Sequence, residues 1–400
     1  LAVFLGLLFD GFELGLMPVA SLSVSQSLLG SDYSPELGGQ WFARFTAALM
    51  LGAAVGGMLL GSLGDRVGRA RVMGLSILFY SVFAGAGALV QTQEQMLLLR
   101  FLVGLGIGGM WPNGVALVSE SWPNASRPMV AGVLGAGINA GILGLSQLTR
   151  AWPITPDSWR WLFQLAVVPA LLGVVTLTAL PESPRWLASH GRGQSPRAPV
   201  RELFDGQLIR ITIIGVLLSS IPLVGTWAGS KWMIPWADQV GGTSQSGYKA
   251  STQGWWALGA TVGSFLGGPM ASSLGRRQAY FLISLGATVL TWCMFQLTEP
   301  LKPSFLPIVF GQGLVATLFF GWLPLYLPEL FPLRVRATGS GLAMNVGRFA
   351  TAGGVLPAGT FFAAGGGDYA KIGAICAMVY ALGMIVIWWA PDTAESNPSC

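Results

Sequence analysis

The chain has 400 residues, 52% hydrophobic and only 10% charged, with a formal net charge of +5 and a mean hydropathy of +0.61. Soluble domains carry about 25% charge, so the composition excludes an ordinary globular protein and points to a polytopic protein of the lipid bilayer. One histidine and three cysteines without pairing or ligand spacing exclude a disulfide framework or a metal centre, so no cofactor is expected. No basic run interleaved with aromatics supports a nucleic-acid partner.

A helix needs about 20 apolar residues to cross the hydrocarbon core. Counting such runs predicts twelve spans: 1–22, 41–63, 71–92, 96–118, 129–149 and 160–180, then 208–229, 252–273, 278–297, 304–326, 337–361 and 368–390. Leu1 opens the chain inside the first apolar run, so further residues are expected before it. Asp10 and Glu13 within that run argue against a cleaved signal peptide. The predicted division is a six-helix half at 1–180, a linker at 181–207 and a second six-helix half at 208–400. Trp111, Pro112 and Asn113 are expected to break span 4. Thirteen arginines fall in the loops after spans 2, 4, 6, 8 and 10, against eight lysines and arginines on the other side. The positive-inside rule then puts both termini in the cytoplasm, and in the inner membrane if the source is prokaryotic. No Gly-x-x-x-x-Gly-Lys-Ser/Thr loop occurs, so no P-loop motor drives the protein and any energy must come from a gradient.

The chain repeats itself. Glu120-x-x-Pro123-x-x-x-Arg127 recurs 209 residues later as Glu329-x-x-Pro332-x-x-x-Arg336. Gly61-x-x-x-Asp65-Arg66-x-Gly68-Arg69 recurs 207 residues on as Gly268-x-x-x-Ser272-x-x-Gly275-Arg276, with serine in place of the acid. Pro181-Glu182-Ser183 recurs 210 residues on as Pro391-Asp392-Thr393. Three markers in one order, twice, mean two parallel copies of one unit.

The Gly61–Arg69 turn resembles the loop 2–3 signature of the major facilitator superfamily, and the twelve-span layout extends that resemblance over the whole chain. Pro181-Glu182-Ser183-Pro184-Arg185-Trp186 and the 328–339 segment are similar to the metabolite:proton symporter, niacin-carrier and synaptic-vesicle-2 branch, near the sugar porters. Asp10-Gly11-Phe12-Glu13 is similar to the span-1 motif of aromatic-acid and sialic-acid proton symporters. The resemblance implies an all-α membrane fold of two pseudo-symmetric six-helix halves around a cavity lined by spans 1, 4, 7 and 10. It also implies a cytoplasmic gate drawn from Gly61, Asp65, Arg66, Gly68, Arg69, Glu120, Arg127, Glu182, Arg185, Arg276, Glu329 and Arg336. The competing reading of each arginine is simple positive-inside anchoring.

Charges inside the spans are costly and mark function. Asp10 and Glu13 share a helix face. At ~1.5 Å per residue, Glu13 lies about 18 Å into span 1 and Arg100 about 6 Å into span 4 from the other side, so their depths nearly meet. The resemblance makes Glu13, Asp10 and Arg100 the proton-coupling set; the alternative is a static ion pair. Arg348 sits roughly 16 Å deep in span 11, with Asn345 on its face, and suits a carboxylate or phosphate. The alternative there is a pair with Asp10 or Glu13 across the two halves, or with backbone carbonyls. Lys231 and Arg44 either add positive potential at the mouth or snorkel.

Further pocket candidates are Trp111, Asn113, Asn139, Gln147, Trp227, Trp255, Gln312 and Trp322, with packing or an interfacial belt as the competing role. Trp232 and Trp236 accompany Trp227, and Trp256 follows Trp255. Span 7 lacks the paired glutamines of hexose porters. The expected function is therefore secondary transport of a small organic metabolite, an organic anion above a sugar, by a proton-coupled, alternating-access monomer. The alternatives are a uniporter of a sugar or organic cation, and a ligand sensor on a transporter scaffold. A membrane enzyme would need a nucleophile–base pair or a metal cluster in the spans, and the sequence offers neither.

Overall fold

The computed structural model describes residues 1–122, 127–183, 186–188, 200–206, 208–332 and 334–393, and no strand occurs among them. The first half contains α1 (Ala2–Leu29), α2 (Pro35–Val67), α3 (Arg69–Ala86), α4 (Gln93–Ser121) and α5 (Arg127–Ala151). Its sixth span is bent into α6 (Arg160–Leu165) and α7 (Pro169–Ala179). The second half contains α8 (Leu208–Val224), α9 (Met233–Gly241), α10 (Tyr248–Leu274), α11 (Arg276–Gln296), α12 (Phe305–Leu330), α13 (Arg336–Ala364) and α14 (Tyr369–Val386). Twelve spans result, because α6–α7 and α8–α9 each make one.

The helices run several residues past the apolar limits because polar caps extend them. Ser34 Oγ accepts the Leu37 N–H at 3.2 Å and starts α2. Thr92 and Gln95 form a reciprocal capping box at α4. Asp368 caps α14 through the Lys371 N–H at 3.0 Å. Each such cap is worth about 1 kcal/mol. The expected break at Trp111-Pro112-Asn113 does not occur, since α4 is continuous through Pro112. The break lies in span 7 instead. There Gly225–Gly229 forms a π-helical turn, followed by a 3₁₀ turn at Ser230–Trp232.

Packing repeats with the sequence. In the first half α2 packs on α4, α3 on α4 and α7, and α1 on α5; in the second, α10 packs on α12, α11 on α12 and α14, and α8 on α13. Lipid provides no hydrophobic drive between helices, so close backbone contact carries the association. Gly52 and Gly56 of α2 face the carbonyls of Phe101 and Leu105, with no room for a Cβ. Their equivalents 207 residues on, Gly259 and Gly263 of α10, meet the Phe310 and Leu314 carbonyls in the same way. The tight turns also match: Gly68 and Gly275 both take positive φ, at 123° and 85°.

The two most extensive contacts between the halves are α5 with α10 and α2 with α13. Ten of the described spans meet the length and hydropathy of a membrane helix. The two that are long enough but less apolar are α10 and α13, which both face the opposite half. Their Ser, Thr, Asn and Gly content suits a helix interface rather than lipid.

At one end of the bundle the halves meet in a dry seam. Trp232 packs edge-on against Phe42 at 5.2 Å and also against Phe362 and Tyr369. Gly39 lies under the Phe362 ring and Gly359 against Ala43. Beside the seam, Lys249 is 3% exposed and donates to Ser23 Oγ of the first half at 3.0 Å and to Asp238 of the second at 2.9 Å. The opposite end, which carries the α2–α3 turn and most of the arginines, is where the cavity opens.

Candidate functional site

A cavity of about 490 Å³ lies between the halves. Its walls run from Asp10, Lys231 and Trp256 to Ala116, Ala131, Pro328 and Ala337 at the arginine-rich end. Most of the lining is apolar, with Trp111, Trp227 and Trp256 as its large rings and with a few polar groups aimed inward. That is the usual make-up of a small-molecule site.

Asp10 is 3% exposed, lines the cavity and has no hydrogen-bond partner among the described residues. Helix α1 comes this deep into the bundle because Gly11 and Gly141 lie against the carbonyls of Ile138 and Leu8, so α1 and α5 nearly touch along their backbones. Three residues on, Glu13 points away from the cavity into the first half. Its Oε2 lies 3.6 Å from Arg100 Nη1, and Arg100 Nη2 donates to the Glu13 backbone carbonyl at 3.4 Å. Both side chains are buried. A buried charge survives only when paired, so the two hold one another in place.

Arg348 of α13 reaches across to the first half. It donates to the Ala53 carbonyl at 3.0 Å and to Asn345 Oδ1 at 3.4 Å. The crossing is possible because residue 57 is glycine: a Cβ there would meet Asn345 Oδ1 and the guanidinium. Asp10 and Arg348 both line the cavity, with no ion pair between them among the described residues.

Lys231 is the least expected feature. It is 1% exposed, and its Nζ has no hydrogen-bond partner among the described residues. The ammonium sits 3.3 Å from the Trp256 ring centroid and 5.9 Å from that of Trp227. The irregular turn of span 7 aims the side chain inward, and the two π-faces partly replace its lost water. The snorkelling reading therefore fails for Lys231. It holds better for Arg44, whose guanidinium lies 4.6 Å over the Trp41 ring.

Several candidates occupy other places. Asn345, Asn139, Trp111 and Trp227 line the cavity, and Asn139 bridges to Ser264 Oγ of the other half at 3.0 Å. Asn113 is buried between α2 and α4, donating to the Leu60 and Gly109 carbonyls. Gln147 is exposed, away from the cavity. Trp255 faces outward, 42% exposed, against Phe310. Trp322 is buried within the second half, where its Nε1–H donates to the Arg276 carbonyl at 2.9 Å. Gln312 lies one layer behind the cavity wall and binds the Trp256 indole N–H at 2.7 Å. Of the adjacent tryptophans Trp255 and Trp256, it is Trp256 that lines the cavity. Periodicity does not separate the two, since Trp255 lies four and eight residues, and Trp256 three and seven, before Gly259 and Gly263, which meet α12.

At the arginine-rich end each half builds its own polar clasp. In the first, Arg69 pairs with Asp65 and lies 3.5 Å from Glu120, which accepts the Ser183 hydroxyl. Trp186 donates from its indole to the Asp65 carbonyl at 3.0 Å. In the second, Arg276 grips Glu329 with two bonds of 2.8 and 3.1 Å, and Thr393 donates to the same carboxylate at 2.6 Å. The Ser183/Thr393 echo thus has a physical reason, since each hydroxyl satisfies the repeat's glutamate.

Other proposed gate residues fall elsewhere. Glu182 pairs with no arginine among the described residues; it caps α3, accepting the Ala70 and Arg71 N–H groups at 3.0 and 2.9 Å. Its carboxylate fills the space over Gly68. Arg66 is exposed, with no ion pair among the described residues. Arg336 donates to the Phe331 carbonyl at 3.4 Å, and Arg334 takes the ion pair instead, with Glu202 at 2.7 Å. Gly61 packs on Pro112. Arg185 and the side chain of Arg127 lie outside the described residues.

The comparisons with known proteins agree with this architecture. Residues 2–355 match the Major Facilitator Superfamily, and the chain belongs to that family. It is an integral, multi-pass membrane transporter of small molecules and not an enzyme. It is 30% identical over 354 residues to a probable 4-methylmuconolactone transporter of Cupriavidus pinatubonensis, covering 87% of this chain and 81% of that protein. It is 29% identical over 399 residues to the cis,cis-muconate transport protein of Acinetobacter baylyi, covering 96% and 92%. Among solved structures it resembles a D-xylose–proton symporter, with a TM-score of 0.74 over 98% of this chain and 97% of that one. At 17% identity, that likeness concerns the fold alone.

Proposed function

We propose that the protein carries small, flat organic acids across the membrane by alternating access, together with a proton, as a monomer with both termini in the cytoplasm. The observation that carries this is the cavity wall: two cations, Arg348 and Lys231, one unbonded carboxylate, Asp10, and the rings of Trp111, Trp227 and Trp256. A sugar site needs neutral donors and acceptors. A cation site would not set two buried positive groups against a single carboxylate. The two relatives named above carry, by their names, a methylmuconolactone and a muconate, both small unsaturated organic molecules.

Charge counting gives the mechanism. With Asp10 ionised the wall carries one net positive charge, which matches a monocarboxylate; a dicarboxylate requires a proton on Asp10. Glu13 and Arg100 form a second, neutral pair where a proton can be taken up once the two separate. The substrate carboxylate competes with the Ala53 carbonyl for the Arg348 guanidinium, whose fork binds carboxylates in two-pronged fashion. Binding thus loosens one tie between the halves while supplying another, so the ligand can bias the equilibrium between outward- and inward-facing forms. The structure is open at the arginine-rich end, which the positive-inside rule makes the cytoplasmic one.

The test is thermal shift and radioligand binding with cis,cis-muconate, benzoate and nicotinate against xylose and a quaternary amine. Stabilisation by the acids alone is expected. Arg348→Lys should weaken acid binding by about tenfold or more, because the second prong is lost. Unchanged affinity in that variant, or stabilisation by xylose alone, would sink the reading.

A further inference from the structure

A hydrogen-bond chain centred on Gln312 runs behind the cavity. Gln312 of α12 is fully buried, with its carbonyl oxygen and both amide hydrogens engaged. Its Oε1 accepts the Trp256 indole N–H at 2.7 Å. Its Nε2 donates to Ser230 Oγ and to Thr291 Oγ1, the latter at 3.3 Å. From Ser230 the chain continues to the Tyr380 hydroxyl at 3.2 Å, and from there to Thr226 Oγ1 at 3.1 Å.

The amide orientation is set by its partners. An indole N–H can only donate, so the carbonyl must face Trp256 and the NH₂ must face the hydroxyls. One side chain therefore ties α10, α11, the irregular turn of span 7 and, through Tyr380, α14. Two cavity groups hang directly from it. Trp256 is held by its ring nitrogen, and Lys231 follows Ser230 in the chain. Their mutual geometry, the ammonium 3.3 Å from the ring centroid, depends on both tethers.

We propose that Gln312 is a positioning residue for substrate choice: by fixing Trp256 and the Ser230–Lys231 turn, it makes the cavity prefer flat conjugated acids over saturated acids of equal charge. The inference rests on the organic-acid reading. A ring held by its edge presents a fixed π-face, and a planar acid can lie on it while its carboxylate reaches a cation. A ring free to turn offers only area, which any apolar acid can use. Stacking and cation–π contacts are sensitive to orientation, whereas burial is not.

The experiment compares wild type, Gln312→Met and Gln312→Glu in proteoliposomes, measuring the uptake of labelled benzoate and of labelled cyclohexanecarboxylate. Met matches the volume but leaves the indole N–H unbonded. Glu keeps an acceptor for the indole and, when protonated, a donor for Ser230. The expected result is that Met lowers the benzoate preference by roughly 3- to 10-fold, chiefly through KM, and that Glu restores most of it. A preference unchanged in Gln312→Met would overturn the proposal. Equal loss of uptake for both acids in Met and Glu alike would also overturn it, since that is what a purely structural role predicts. Should wild type take up neither acid, the organic-acid reading itself fails, an outcome distinct from both.

Discussion

Replacing Glu13 with glutamine strips Arg100 of its counter-charge in a place where water does not reach. Arg100 is 1% exposed, its nearest carboxylate oxygen is 3.6 Å away, and its only other contact among the described residues is the 3.4 Å bond to the Glu13 backbone carbonyl. Removing one partner of a buried pair costs about 3–5 kcal/mol. The backbone contact survives the change and the glutamine amide can still accept a bond, so the loss should sit near the lower end, about 3 kcal/mol. The double variant Glu13→Gln/Arg100→Met removes both charges and should recover most of that loss. Thermal unfolding in detergent measures both quantities. Transport separates stability from coupling: under an imposed pH gradient Glu13→Gln should no longer concentrate substrate, while exchange against internal substrate continues. A variant that still accumulates substrate under the gradient places the proton elsewhere. A double variant no more stable than the single one shows that the pair is not a self-contained unit.

Other sites give independent checks. Gly141→Val drives a side chain into the Leu8 carbonyl and should part α1 from α5; overpacking costs typically about 1–3 kcal/mol, and folded yield by size-exclusion chromatography should fall sharply. Glu182→Ala removes two bonds at the start of α3 and should cost about 1 kcal/mol with little effect on ligand affinity, read by thermal unfolding beside a binding titration. Lys249→Met cuts the tie between Ser23 and Asp238 and should raise labelling of a Thr226→Cys reporter by an impermeant maleimide added outside; unchanged labelling would show that the tie does not hold that end shut.

Much of this was readable from residues alone, where the physics is one-dimensional. Helix rise set the depths of Glu13 and Arg100, and the structure brings the two side chains to 3.6 Å. The doubled glutamates and the Pro-Glu-Ser/Pro-Asp-Thr echo announced a repeat, although not that Ser183 and Thr393 each donate to a glutamate. What stayed hidden depends on rotation about helix axes and on irregular backbone. Trp255 and Trp256 are adjacent, yet one faces outward and the other the cavity. Lys231 points inward only because span 7 unwinds at Gly225–Gly229, and proline, the obvious breaker, leaves α4 continuous at Pro112. Glu182 shows a third limit: an acid beside arginines in sequence can be claimed by backbone N–H groups that only folding brings near.

The seam of Phe42, Trp232, Phe362 and Tyr369 has a thermodynamic consequence of its own. Parting these rings breaks no hydrogen bond of their own, since Trp232 Nε1 and Tyr369 Oη have no partner among the described residues; the energy is the rehydration of apolar surface, offset by those two polar atoms gaining water. Such a process carries a positive heat-capacity change, and its cost falls on cooling. The balance between the two facing forms should therefore drift with temperature along a curve rather than a straight van't Hoff line, and cold should favour the form in which these rings stand apart.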